Sequence, residues 1–176
     1  MRSFIVCLLL CFGLIQAQAA EYRSEEKFGL RVEHSARWTQ TVPPTDGTVA
    51  VLRLADSNNV ANGHFGATFP ENVSMFSSMR AWIEDGQQKF IKKYGKNYSV
   101  KSSSEGTVKL GNGLEGTYIQ QEVSNENSDR SVMFLFWESE VQGRKVWNYT
   151  VFSNKFRHFK LSVDTEPMSD LIRGIK

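Results

Sequence analysis

The run from Ser131 to Trp137 constrains the fold more than any other segment, because it offers no polar face to water. Alternate side chains of a β-strand point to opposite faces of the sheet. Both faces would be apolar here, with Val132, Phe134 and Phe136 on one side and Met133, Leu135 and Trp137 on the other. Such a strand is stable only where protein covers both faces. The sequence therefore predicts a central strand in a covered sheet.

Further strands are predicted where apolar and polar residues alternate between turn-forming segments. They cover residues 28–33, 49–55, 64–69, 98–109, 114–123 and 144–152. Segments rich in Pro, Gly, Asn, Asp and Ser, at 39–48, 56–63 and 124–130, are expected to be loops. Residues 159–163 also alternate and favour a strand, but Phe156 and Phe159 would equally suit a helical turn.

One long helix is predicted from Ser74 or Ser77 to Tyr94. Apolar residues recur there at helical spacing, while charged residues and glutamine take the other side. A serine suits its first turn as an N-cap, and Gly95 follows its end. Residues 165–175, with a proline in the first turn, predict a short closing helix.

The order of these elements predicts an α+β domain. Three strands precede the long helix, and four or five antiparallel strands and the closing helix follow it. Helices kept apart from runs of strands pack onto an antiparallel sheet. We therefore expect one domain over residues 20–176, with a central antiparallel β-sheet flanked by helices.

Several segments carry a resemblance to a known family. They are FGLRV with Trp38 shortly after it, the helix SMFSSMRAWIEDGQQKFIKKYG, the hairpin GNGLEGTYIQQ and the ending VWNYTVFSN. From about Phe28 to the end, the chain resembles the PsbP/DcrB-like family. The resemblance implies an α/β/α sandwich and a non-enzymatic accessory role without shared catalytic residues.

The first twenty residues are typical of an export signal. Arg2 precedes the apolar run Phe4–Ile15, and small residues follow it. The run is shorter than the roughly 20 apolar residues that span a bilayer, and its regions have the order of a cleavable secretory signal. We expect residues 1–19 to be removed and the remaining domain to work in the periplasm, or as a secreted protein.

Both cysteines, Cys7 and Cys11, lie inside this signal and lack the small-residue motif of a lipoprotein. The mature domain is therefore expected to contain no disulfide and no membrane anchor, so its core alone must hold it together. The formal charge of the whole chain is only +2. This balance does not favour nucleic acid or an acidic membrane as a partner.

The residues that commonly carry chemistry are not arranged for it. The three histidines, His34, His64 and His158, lack the spacing of metal ligands, and no GxSxG motif marks a serine nucleophile. We therefore expect no enzyme activity, no catalytic residue and no cofactor. A triad assembled only by the fold would not be visible in the sequence, so a hydrolase is kept as an alternative.

The polar segment 124–130 contains one weak candidate for a metal site. Asn125, Asn127 and Asp129 place oxygen atoms at alternate positions, as a calcium loop does, but the glycine turn and the distant glutamate are missing. We predict a plain hairpin loop without a metal.

The mature chain is therefore predicted to be an exported, non-enzymatic accessory or binding protein that acts through protein–protein interaction. The expected contact residues lie in exposed loops and at the end of the long helix: Asp46, Glu126, Asp129, Lys92 and Lys93. An immunity protein against a toxin delivered to the periplasm is a more specific version. A small-ligand carrier is a further alternative, which a closed apolar pocket of a few hundred Å³ would favour.

Overall fold

The computed structural model describes residues 20–23, 25–42, 49–56, 61–94, 99–125, 128–156 and 166–176. The predicted signal (1–19) and the predicted strand at 159–163 lie outside these ranges. Nine strands are present in the described ranges: β1 (Ala20–Arg23), β2 (Arg31–His34), β3 (Trp38–Val42), β4 (Val49–Asp56), β5 (Ala61–Thr68), β6 (Ser99–Lys109), β7 (Glu115–Asn125), β8 (Ser128–Val141) and β9 (Arg144–Phe156). The helices are α1 (Glu25–Phe28), α2 (Met79–Tyr94) and α3 (Glu166–Gly174), and a 3₁₀ turn covers Pro70–Val73.

Seven strands form one antiparallel sheet in the order β3-β4-β5-β9-β8-β7-β6. Strands β3 to β5 form one meander and strands β6 to β9 form another. The two meanders join where β5 pairs with β9, with Phe65 opposite Thr150. Helix α2 carries the chain from β5 in the interior of the sheet to β6 at the edge.

Strand β8 confirms the prediction of a central strand covered on both faces. It lies between β7 and β9. Phe134 belongs to the hydrophobic cluster beneath α2. Leu135 and Trp137 belong to the cluster on the opposite face. The alternation of apolar residues along β8 therefore serves two separate cores.

Helix α2 covers part of one face of the sheet. Ser78 begins it, because the Ala81 N–H donates to the Ser78 Oγ at 3.2 Å. The helix therefore begins at Met79, later than the predicted serines at 74 and 77, which lie in the preceding turn. Ile83 packs from α2 into the cluster that includes Ile119 and Phe134.

The opposite face is covered mainly by short elements at the two ends of the chain. Leu30 and Val32 are buried there together with Leu171 and Ile175 of the C-terminal segment. The backbone of Val32 bridges to Ile175. Asp170 of α3 ties the two ends further, because its Oδ2 accepts hydrogen bonds from Ser35 Oγ at 3.0 Å and from Trp38 Nε1 at 3.2 Å.

The predicted α+β fold, an α/β/α sandwich with a central sheet flanked by helices, is therefore wrong. The described chain is mostly antiparallel β-sheet. Seven strands about 4.8 Å apart span about 29 Å, whereas a nine-residue helix is only about 14 Å long. Helix α3 is too short to form a layer, so Phe28, Leu30 and Val32, in β2 and just before it, supply much of the cover on that face.

Several predicted loops are strands instead. β3 extends through Val42 into the segment predicted as a loop at 39–48. Asn125 pairs with Ser128, so β7 and β8 occupy most of the predicted loop at 124–130. Backbone hydrogen bonding between neighbouring strands does not depend on side-chain polarity, and it overrides the local preference of these polar residues.

Candidate functional site

A groove of about 530 Å³ lies between α2 and the half of the sheet formed by β4, β5 and β9. A helix with its side chains is about 10–12 Å wide, so a single helix cannot cover a sheet about 29 Å wide. Helix α2 packs against β8 and leaves part of the same face open. The groove follows from this incomplete cover.

The floor of the groove is a row of side chains that crosses four strands. The strand register places Arg53 opposite His64, His64 opposite Val151, and Val151 opposite Phe134. One step along the sheet, Asn62 and Ser153 also pair and also line the groove. The floor therefore changes from charged and polar on β4 and β5 to apolar on β8.

The wall of the groove is one stripe of α2. Trp82, Gly86 and Lys89 recur at helical spacing and line it together with Phe90. A β-carbon on Gly86 would meet no heavy atom within 4 Å. Gly86 therefore leaves open space in the middle of the wall, between Trp82 and Lys89.

Aromatic side chains close one end of the groove. The Trp82 and Tyr149 rings meet at 90° with centroids 5.1 Å apart, and the Trp82 and Trp147 rings stack at 6.1 Å. The Tyr149 ring lies directly over Gly66, where any β-carbon would overlap it. Tyr149 can therefore occupy this position only because residue 66 is a glycine.

Burial raises the pKa of Tyr149 to about 12, although the positive charge of Arg53 opposes the effect. The phenol is therefore neutral throughout the physiological range. His64 approaches the same ring edge-on, with centroids 5.7 Å apart. His64 and Tyr149 give the groove polar groups in addition to its apolar surface.

The charged groups among the described lining residues are both cations, Arg53 and Lys89, and none of these residues is a carboxylate. Lys89 also pairs with Asp85 one turn earlier on α2, at 2.6 Å. Side chains that a hydrolase uses, His64, Tyr149 and Ser153, do line the groove. The acid that orients the imidazole in a catalytic triad is not among the described lining residues.

None of the residues predicted to contact a partner is among the described lining residues of the groove. Lys92 is exposed on α2, and Lys93 lies on α2 with its side chain outside the described set. Asp129 lies on β8, opposite Ser124, and its side chain is likewise not described. Asp46 and Glu126 lie outside the described residues.

The weak calcium candidate is split between strands and an undescribed turn. Asn125 is the last residue of β7, Asp129 is the second residue of β8, and Asn127 lies outside the described residues. In the described ranges, no group of three or more His, Cys, Asp or Glu is placed to hold a metal ion.

The groove was not predicted, although two signals for it are present in the sequence. Gly86 interrupts the apolar stripe that faces the sheet, where a larger residue would be typical. His64 occupies an inward-facing position of a strand otherwise rich in small residues. The pairing of β5 with β9, which brings His64 to Val151 and Tyr149, has no local sequence signal.

Neither protein-family models nor curated proteins match this chain. The resemblance to the PsbP/DcrB-like family therefore stays a prediction. Within the described ranges, no helix combines the length and apolar character that crossing a bilayer requires.

Proposed function

We propose that this chain is an exported, non-enzymatic binding protein that holds a small amphiphilic ligand in the groove between α2 and the sheet. The groove itself is the observation that carries this proposal. Its volume of about 530 Å³ falls within the roughly 300–1,000 Å³ of small-molecule sites. Export to the periplasm is proposed from the sequence of residues 1–20 alone.

The lining of the groove supports binding in preference to catalysis. Trp82, Phe90, Phe134 and Tyr149 provide aromatic surface, and Asn62 and Ser153 provide a few polar groups. Ligand sites combine an apolar lining with a small number of placed polar groups in this way. Bound groups would contact aromatic faces on the α2 side and polar groups on the β5 side.

A protein partner is the second outcome that an experiment can return. A stable protein interface covers about 800 Å² on each partner, far more than this groove offers. A partner protein, such as the toxin of the immunity hypothesis, would have to cover the surrounding surface as well. The groove residues would then receive only one or two of its side chains.

The proposal is tested with Nile red, a neutral apolar dye whose fluorescence rises in an apolar site. We expect the mature protein to bind one dye molecule saturably and Gly86→Leu to lose that binding, because the leucine fills the open space beside Trp82. Gln88→Leu is the matched control, since Gln88 is exposed on the same helix and does not line the groove.

Absence of saturable binding to the wild-type protein would refute the proposal. Equal binding by the two leucine variants would also refute it, because the dye would then lie elsewhere. Circular dichroism of both variants checks that α2 is intact.

A further inference from the structure

We infer that the ligand of the groove is an organic anion, with an apolar body against the aromatic wall and one acidic group, a carboxylate or a phosphate, between Arg53 and Lys89. This inference rests on the proposed binding function and names the chemistry of the ligand. It follows from the signs and positions of the charges around the groove.

Arg53 is the first charged contact. It stands on β4 at the end of the floor row that continues through His64 and Val151. Its charge acts on the Tyr149 hydroxyl, two strands away. Arg53 itself lines the groove at the end of this floor. A guanidinium also presents parallel N–H donors that match the oxygens of a carboxylate or phosphate.

Lys89 is the second charged contact, and it lies on the α2 wall of the groove, whereas Arg53 lies on the floor. Its ammonium donates to Asp85, but the lysine side chain is 74% exposed. An exposed pair of this kind is weak. An ammonium has three donors, so Lys89 retains donors for a ligand while it contacts Asp85.

The apolar body would lie beside Gly86, where the wall is open. Phe90 and Phe134 meet edge to face at 5.7 Å and bound this space on the β8 side. The charged side chains among the described lining residues are Arg53 and Lys89, so a cationic ligand would meet like charges on the groove surface. The charge pattern therefore selects against cations as well as favouring anions.

The test compares four probes that share a twelve-carbon chain: dodecanoate, dodecyl phosphate, dodecanol and dodecyltrimethylammonium. Each is titrated below its micelle concentration into the mature protein, with tryptophan fluorescence and calorimetry as readouts. We expect the anions to bind about tenfold or more tighter than dodecanol at low salt, in keeping with one charge-assisted contact, and the cation to bind weakest. Added salt should narrow the difference. The order of dodecanoate and dodecyl phosphate identifies the acidic group.

Charge variants locate the acidic group. Arg53→Gln and Lys89→Gln should each weaken dodecanoate binding several-fold and weaken dodecanol binding much less. Lys92→Gln is the matched control, because Lys92 is exposed on the same helix and does not line the groove. An equal loss in Lys92→Gln would mean that general surface charge attracts the anion, and it would overturn the assignment to Arg53 and Lys89.

Comparison of the probes distinguishes the proposed binding function from the inference that the ligand is an anion. Equal affinity for dodecanoate and dodecanol, with both lost in Gly86→Leu, would overturn the anion inference and leave the binding function intact. Failure of every probe to bind saturably, one molecule per chain, would overturn the binding function itself.

Discussion

At the scale of single residues, two buried threonines differ in how their hydroxyls are satisfied. Thr150 and Thr68 are both fully buried. The Thr150 Oγ1 has no hydrogen-bond partner among the described residues. The Thr68 Oγ1 donates to the Phe69 carbonyl at 3.4 Å and accepts from the Asn72 amide at 3.3 Å. Burying an unpaired hydroxyl is unfavourable, whereas a paired one stabilises the fold.

This difference predicts opposite effects of one substitution. Thr150→Val should raise the free energy of unfolding by about 1 kcal/mol, because valine keeps the shape and removes an unpaired hydroxyl. Thr68→Val should lower it by about 1 kcal/mol, because it leaves the Asn72 amide without its acceptor. Urea denaturation of both variants measures the change. A stability loss in Thr150→Val would show that its hydroxyl is satisfied.

At the scale of elements, helix α2 contains a glycine, Gly86, that the helix itself does not require. Glycine in a helix interior is unfavourable relative to alanine by about 1 kcal/mol. A β-carbon at Gly86 would meet open space, whereas one at Gly66 on β5 would overlap the Tyr149 ring. Gly66 is therefore needed to make room for Tyr149, whereas Gly86 leaves open space beside α2.

Alanine substitutions at Gly86 and Gly66 should have opposite effects on stability. Gly86→Ala should stabilise the protein by about 0.5–1 kcal/mol through helix propensity. Gly66→Ala should destabilise it and displace Tyr149 from Trp82. Thermal denaturation gives the stabilities, and near-ultraviolet circular dichroism reports the aromatic packing. A destabilising Gly86→Ala would mean that the wall of the groove is more tightly packed than its geometry indicates.

The ion pair between α2 and β6 predicts a pH effect. Two Arg80 guanidinium N–H groups donate to the Glu105 carboxylate at 2.7 and 2.8 Å, and these bonds lower the pKa of Glu105 from its ordinary value of 4.5. The pKa of Glu105 is lower in the folded protein than in the unfolded chain. The ion pair therefore adds to the free energy of unfolding above about pH 4.5, and this stabilisation is lost as the pH falls through the pKa of the folded state.

Arg80→Gln tests this linkage. The Glu105 pKa should rise toward 4.5 when the guanidinium is removed, as measured by carboxyl chemical shifts in an NMR titration. Lys92→Gln, which changes the same charge on an exposed position of α2, should leave the pKa of Glu105 in place. A pKa unchanged by Arg80→Gln would refute the pair.

At the scale of the whole molecule, much of the strand pattern could be predicted and the arrangement of the layers could not. Strand β4 was predicted within one residue of its observed end, and β8 was correctly predicted as an interior strand covered on both faces, because their alternation is a local property. The cover of the second face depends on Val32 meeting Ile175 at the other end of the chain, which no local pattern encodes. The groove was missed for the same reason, since its floor joins β4, β5, β9 and β8.

The export prediction also belongs to the whole molecule. Expression with residues 1–176 should yield a periplasmic protein whose first residue is Ala20, because the small residues before it form the cleavage site. Mass spectrometry of the exported protein measures this. Replacing Ala17 and Ala19 with bulky residues should cause the uncleaved precursor to accumulate, and recovery of full-length protein from the wild-type sequence would contradict the prediction.

The pairing of β5 with β9 also has a consequence for how the molecule assembles. Each meander closes through short hairpins, but Ala61 meets Asn154 only after a long loop closes, which carries a larger entropic cost. The contact of Phe65 with Phe152, edge to face at 5.8 Å, helps to compensate for that cost. Because the floor of the groove spans both strands, the site exists only once the two halves have joined. A bound dye would therefore signal that the two halves have joined rather than collapse of either half.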